Sequence, residues 1–190
     1  MKQLPAELAE RLAAIAEPFA ARGDDLRVAD VADATGIPRA TLYYYFSGRE
    51  DLLGFLLGHV VERRREAVEK ALAEPGDERA RLAGALRAVL GFIASHPQAY
   101  TTLMSNLGVL GELRDLAVRS RATFNAPVER LLREGVDHGL FSRVTNPETT
   151  ASALFGAVTF AGLHEVMVRG HVDVDRVADE LIPQLLAGLG

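Results

Sequence analysis

The chain has no cysteine, no tryptophan, only 6% aromatic residues and no surplus of positive charge. Without cysteine it forms no disulfide and carries out no thiol chemistry, which leaves the compartment open on that ground. No export signal opens the chain, so a cytoplasmic location is expected. No run of residues approaches the ~20 apolar positions of a membrane span, and no membrane partner is expected. Fixed-period repeats and low-complexity tracts are also missing. With 190 residues, 48% of them hydrophobic and 25% charged, the chain has the make-up of an ordinary soluble protein of one or two small domains.

Catalytic signatures are equally scarce. His164-Glu165 lacks the second histidine four residues on that a zincin helix needs, since position 168 is valine. His96, His138, His164 and His171 are scattered without ligand spacing. There is no phosphate loop, no dinucleotide fingerprint and no nucleophile elbow. The sequence therefore predicts no enzyme, no catalytic residue, no metal site and no cofactor.

What is present is concentrated in residues 27–53, RVADVADATGIPRATLYYYFSGREDLL. Val28, Val31 and Ala32 fall at helical spacing, and Gly36 follows where a left-handed residue ends a helix. Pro38 then suits a first helical position, because its missing N–H would have no partner there. On the second helix Leu42 and Phe46 lie four apart and face inward. Ala40, Thr41 and Tyr44 consequently point away, with Tyr43 and Tyr45 on the flanks. Exposed tyrosines bond phosphate oxygens and lay their rings on sugars and thymine methyls, so a helix-turn-helix showing Arg39, Thr41 and aromatics fits the major groove. The plainer alternative is that the tyrosines roof a small helical core.

The run GIPRATLYYYFSGREDLL resembles the signature of the tetracycline-repressor (TetR) family, in which a recognition helix ending in TLY-x-x-F precedes a short turn, a basic residue and the next helix. The resemblance is concentrated in the first third of the chain. It implies an all-α protein, with a three-helix DNA-binding head over residues 1–50 and a helical effector-binding and dimerisation domain over residues 51–190. It also implies DNA contacts from Arg27, Arg39, Ala40, Thr41, Tyr43, Tyr44, Tyr45 and Arg49, with Arg49 at the family's usual lysine position. Leu26 and Ala29 stand where the family often has Ser or Thr and a basic residue, a departure that bears on base preference. Residues 1–51 hold six basic and nine acidic side chains within a chain of net charge −5, so binding must rest on local placement of the arginines.

The remaining sequence reads as a succession of helices. Leu4, Leu8, Leu12, Ile15 and Phe19 predict a first helix over 5–21, broken or kinked by Pro18. Asp24 or Asp25 is expected to cap the following helix. Leu52, Leu53, Leu56, Leu57, Val60 and Val61 predict a long helix from Arg49 to about Glu74. Arg63, Arg64 and Arg65, set among glutamates, read as a solvated helix face. Further helices are expected over Leu82 to Ile93, from Tyr100 to Gly108 and Gly111, and from Glu112 to about His138 with a bend at Pro127. Two more start at Asn146-Pro147 and Asp173. Small residues such as Gly156, Ala157, Ala161 and Gly162 predict a close helix contact on the first of these two.

In the family the last two helices pair with their copies, which implies a homodimer carrying two reading heads; an intramolecular hairpin is the alternative. The resemblance further implies a small-molecule effector held among the middle helices. Phe92, His96, Tyr100, Met104, Phe124, Phe155 and His164 are the candidate contacts, and they suit a mostly apolar ligand with one or two polar handles. The expected function is a ligand-released repressor of double-stranded operator DNA. Its competitor is a dimer of the same architecture that binds a ligand or protein and has lost DNA binding.

Overall fold

The structure, a computed structural model, describes residues 4–106 and 121–190, and among these every regular element is helical. The chain divides into two compact units, Met1–Glu62 with Gln98–Arg114 and Arg63–Pro97 with Asp115–Gly190.

In the first unit α1 (Ala6–Ala14) and α2 (Ala16–Ala20) replace a single long helix. Pro18 has no N–H to offer Ala14, and its ring crowds that carbonyl. The backbone accordingly breaks at Ile15 (φ −108°), whose N–H makes the tighter bond to the Leu12 carbonyl at 3.2 Å. A 3₁₀ turn, Gly23–Asp25, leads to α3 (Val28–Thr35) and α4 (Arg39–Tyr45). The expected aspartate cap is not made: Arg27 occupies the N-cap of α3 without a side-chain bond, and Asp24 pairs with Arg49 instead. Pro38 stands one position earlier than expected, at the N-cap of α4.

Helix α5 (Arg49–Ala73) begins in this unit, with Leu52, Leu53, Leu56, Leu57, Val60 and Val61 all buried. Asp51 reaches back from its first turn to accept the Ser47 N–H at 3.0 Å. Helix α7 (Pro97–Asn106) returns to the same unit from Gln98 onward and buries Ala99, Tyr100 and Leu103. It closes on the turn at Gly23 (φ +53°), where an added Cβ would lie 3.3 Å from the Thr102 hydroxyl.

The second unit takes the rest of α5 together with α6 (Glu78–Ser95), a π-helical turn at Arg121–Asn125, α8 (Ala126–Asp137), α9 (Pro147–Arg169) and α10 (Val174–Ala187). Asp77, Asn146 and Asp173 cap α6, α9 and α10 through bonds of 2.8, 3.0 and 3.1 Å. Such bonds satisfy N–H groups that a helix cannot pair internally. Pro127 cannot donate to the carbonyl four residues back, and the irregularity expected there takes the form of the π turn just before it. The predicted starts and ends at Leu107, Gly108, Gly111 and Glu112 lie outside the described residues.

Helix α6 packs against α8, α9 and α10. At Gly162 of α9 an added Cβ would come within 2.8 Å of Ile93, which bears out the close approach read from the small residues. At Gly135 of α8 the Phe141 ring lies 2.2 Å from that position, folded back by the left-handed Gly139 (φ +76°).

Two expectations fail in this unit. Arg64 is 2% exposed and not part of a solvated face. Helix α9, with 23 residues, is long and apolar enough by length and composition to cross a membrane, although no such run was expected. Glu165 is charged within it, and only a third of its most apolar stretch is buried in the chain.

Helices α9 and α10 are tied by Glu165, which pairs with Arg169 on its own helix and with Arg176 across the gap. Burial opposes its charge, but the Arg176 hydrogen bond and the two guanidinium charges outweigh that cost and hold the carboxyl below its ordinary range. A carboxyl depressed in the folded state stabilises the fold above its ordinary pKa and ceases to do so as the pH falls through the folded value. Glu165→Gln should therefore lower the urea midpoint at neutral pH, and the gap to the parent protein should close on acidification. Midpoints that remain equally separated down to strong acid would contradict the pairing.

Candidate functional site

The reading surface follows from how α4 divides its residues. Leu42 and Phe46 are 1% and 3% exposed, so the helix is pinned by its inner side. Tyr43 and Tyr44 are each 59% exposed on the other side, and the Tyr44 and Tyr45 rings meet edge to face at 5.0 Å. Arg39 and Ala40 are exposed beside them, and Thr41 and Tyr45 are half-buried. Helix α3 ends at Gly36 (φ +66°). Its terminal carbonyl, that of Thr35, accepts Arg11 Nε at 3.0 Å and a second donor from the same guanidinium. Thr35 also closes on itself, its hydroxyl donating to the Val31 carbonyl at 2.6 Å. The turn between the two helices is thus held from α1 as well as from within.

Arg27 is exposed where α3 starts, and Leu26 beside it is buried, which explains why no polar group can be presented at that place. Arg49 donates to Asp24 at 2.9 Å and to the Gly23 carbonyl at 3.4 Å. Arg39 lies 4.0 Å from Asp33, and Arg22 bonds Asp30 at 2.8 Å. The eight residues read from the sequence as DNA contacts thus all belong to the first unit, and all but the half-buried Thr41, Tyr45 and Arg49 are exposed.

The seven effector candidates divide between the two units. Tyr100, fully buried, and Met104 belong to the first unit. In the second unit the Phe124 and Phe155 rings are 4.9 Å apart, with Phe124 fully buried. Phe92 and His96 stack at 4.3 Å near the end of α6, and the His96 Nδ1 lies 2.9 Å from the Phe92 carbonyl. His164 instead lies on the exposed side of α9, lining a groove of about 280 Å³ with Phe160, Arg176 and Leu181.

Sequence reasoning missed Arg64. Its guanidinium sits over the Phe155 ring at 4.9 Å and donates to the Thr123 hydroxyl at 3.3 Å, placing a cation inside an aromatic cluster. The signal was available: Val60, Arg64, Val68 and Leu72 repeat every four residues along the buried stripe of α5, and the flanking charges concealed it.

Comparison with known proteins falls on both units. Residues 12–54 match the family of bacterial regulatory proteins described as tetR, and residues 75–189 match the tetracyclin repressor-like C-terminal domain. The HTH-type transcriptional activator FasR of Mycolicibacterium smegmatis is 32% identical over 96 residues, covering 50% of this chain and 44% of that protein. The chain thus spans less than half the length of that relative. Among solved structures, the fatty acid degradation regulator FadR from Bacillus halodurans superposes with a TM-score of 0.79 at 19% identity, over 99% of this chain and 98% of the other. FadR from Bacillus subtilis in complex with stearoyl-CoA gives 0.75 at 18% identity, over 95% and 99%. At such identities the likeness is one of fold.

Gly36 tests the turn that orients the reading helix. Gly36→Ala should cost about 1 to 2 kcal/mol of stability, the penalty for a side chain in left-handed conformation. Part of the cost comes from Arg11, which stands 3.1 Å from the new methyl carbon. A denaturant midpoint unchanged by the substitution would show that the turn is not constrained in this way.

Proposed function

We propose, because this chain belongs to the TetR family of bacterial regulatory proteins, that it binds a palindromic operator as a homodimer and releases it when a small, mostly apolar effector is bound. The observation that carries the DNA reading is the division of α4, with Leu42 and Phe46 inside and two large aromatics exposed between Arg39 and Arg49. Exposed aromatic surface rimmed by polar and charged groups is of the kind that marks interaction sites.

The homodimer is supported by α9. Phe160, Met167 and Val168 are 73%, 78% and 64% exposed, and an added Cβ at Gly156 meets nothing within 4 Å. A mid-helix glycine costs about 1 kcal/mol relative to alanine, and no described residue near Gly156 accounts for it. A second copy laid against this side would cover the apolar stripe and use the space at Gly156.

For the effector we infer a fatty-acyl compound. The Phe124–Phe155 pair gives apolar surface and Arg64 with Thr123 gives the polar handle. The names of two structural neighbours of this chain, both FadR proteins, point to the same chemistry, since one is a fatty acid degradation regulator and the other holds stearoyl-CoA. Helix α7 supplies a route for release. It follows α6 directly after His96, and its Thr102 rests on the Gly23 turn whose carbonyl and neighbouring Asp24 hold Arg49. A second reading, activation of transcription, is favoured by FasR, which is an activator. Transcription measured with and without the protein on the same promoter separates the two.

The test is binding to DNA upstream of the protein's own gene and to operators selected from the genome, titrated across salt and followed by addition of a long-chain acyl-CoA. Specific, salt-steep binding that the acyl compound abolishes is expected. Arg39→Ala and Tyr43→Ala should each lose about 1 to 3 kcal/mol of operator binding. Unchanged affinity in both variants would remove α4 as the reading helix. Phe160→Glu should convert the sedimenting species from dimer to monomer while leaving the helical signal intact; a variant that stays dimeric would place the interface elsewhere.

A further inference from the structure

Two arginines of the first unit, Arg39 and Arg49, do not face solvent as bare charges. Arg39 at the start of α4 lies 4.0 Å from Asp33 on α3, and Arg49 at the start of α5 lies 2.9 Å from Asp24 in the 3₁₀ turn. Both aspartates are among the most exposed groups of the unit, with side chains 77% and 89% accessible. Neither caps a helix, and pairs this exposed contribute roughly 0 to 1 kcal/mol to stability. Their value to the fold is therefore small. They also stand beside the same two cations that the DNA reading requires.

We infer that Asp24 and Asp33 compete with DNA phosphate for Arg49 and Arg39, and thereby set the ratio of operator to random-DNA binding. The inference rests on the DNA reading above. A random duplex is held by the field of the cations and by counterion release, without directional contacts to bases. An aspartate within 4 Å of each cation cancels much of that field at the distances where non-specific complexes form. At an operator the exposed tyrosines and Arg39 meet base edges at fixed distances, and a short phosphate contact displaces a weak, fully hydrated carboxylate. The loss therefore falls mainly on non-specific binding. Arg27, exposed at the start of α3, has no acidic group within ion-pair distance among the described residues and is not subject to this competition.

Asp24→Asn/Asp33→Asn, made in the full chain, keeps the shape of both side chains and removes two negative charges. Random-duplex affinity at low salt should rise about tenfold or more, with a steeper salt dependence corresponding to as many as two added phosphate contacts. Operator affinity should rise by a smaller factor, so selectivity falls. In an Arg39→Ala/Arg49→Ala background the same two substitutions should have little effect, which distinguishes competition for these cations from a general change in net charge. Thermal unfolding should be nearly unaltered, so a folding defect is recognised separately. An equal gain on operator and random duplex, an equal gain in the arginine-free background, or no gain on random duplex would each overturn the inference. If the parent protein binds no DNA while the aspartate variant binds random duplex, the competition stands and the operator reading falls. If both are silent at every salt concentration, both readings fall.

Discussion

A seven-residue helix has no stability of its own in water, and α4 exists because Leu42 and Phe46 are buried. Everything said about the reading surface depends on that burial. The two anchors lie four residues apart, so they fix the rotation of the helix about its axis and thereby decide that Tyr43 and Tyr44 are outward. The supports around α4 act in the same sense. Gly36 turns the chain, Arg11 holds the carbonyl end of α3, and Asp51 fixes the entry to α5. A local set of apolar contacts thus becomes a defined pattern of exposed polar and aromatic groups, which is the physical content of a recognition helix.

The features legible in the sequence are those decided by neighbours along the chain. Proline at 18 acts on a carbonyl four residues back, glycine at 36 acts on its own backbone, and the caps at Asn146 and Asp173 act three residues ahead. The break at Pro18, the helix end at Gly36 and the helix starts at Asn146 and Asp173 are legible in this way, as is the inward side of α4 at Leu42 and Phe46, whereas Thr41 is half-buried and Tyr43 is as exposed as Tyr44. Asp24 is decided instead by a distant partner. An aspartate before a helix is a sound cap candidate, but its partner is an arginine 25 residues away, and only the closed turn at Gly23 brings the two together. Arg64 fails for a related reason. Its neighbours Arg63, Arg65, Glu62 and Glu66 gave the segment a polar average, while the four-residue repeat carried that one side chain inward. His164 is the reverse case, a residue chosen for its chemistry that helical rotation carries to the exposed side.

The two units use apolar surface differently. In the first, the apolar positions of α5 from Leu52 to Val61 are buried, and among the described residues the exposed large aromatics are Tyr43 and Tyr44. In the second, α9 meets α6 closely at Gly162 yet leaves Phe160, Met167 and Val168 uncovered. One helix therefore serves both as an internal packing element and as a surface, and its composition must satisfy both. That double duty is why its average composition is as apolar as that of a membrane helix when its sequence is taken alone.

The fit of Phe141 over Gly135 carries a consequence for how the chain folds. The two residues are six apart, joined by a turn whose backbone closes through the Leu140 N–H to the Gly135 carbonyl at 2.7 Å. Closing so short a loop loses little chain entropy, and contacts of this range form before those between distant segments. The aromatic ring is clasped onto the helix the chain has just left, and it is fully buried there. Helix α8 and its C-terminal turn are thus closed by a contact internal to one short segment, beside the surfaces on which α6 and α9 pack.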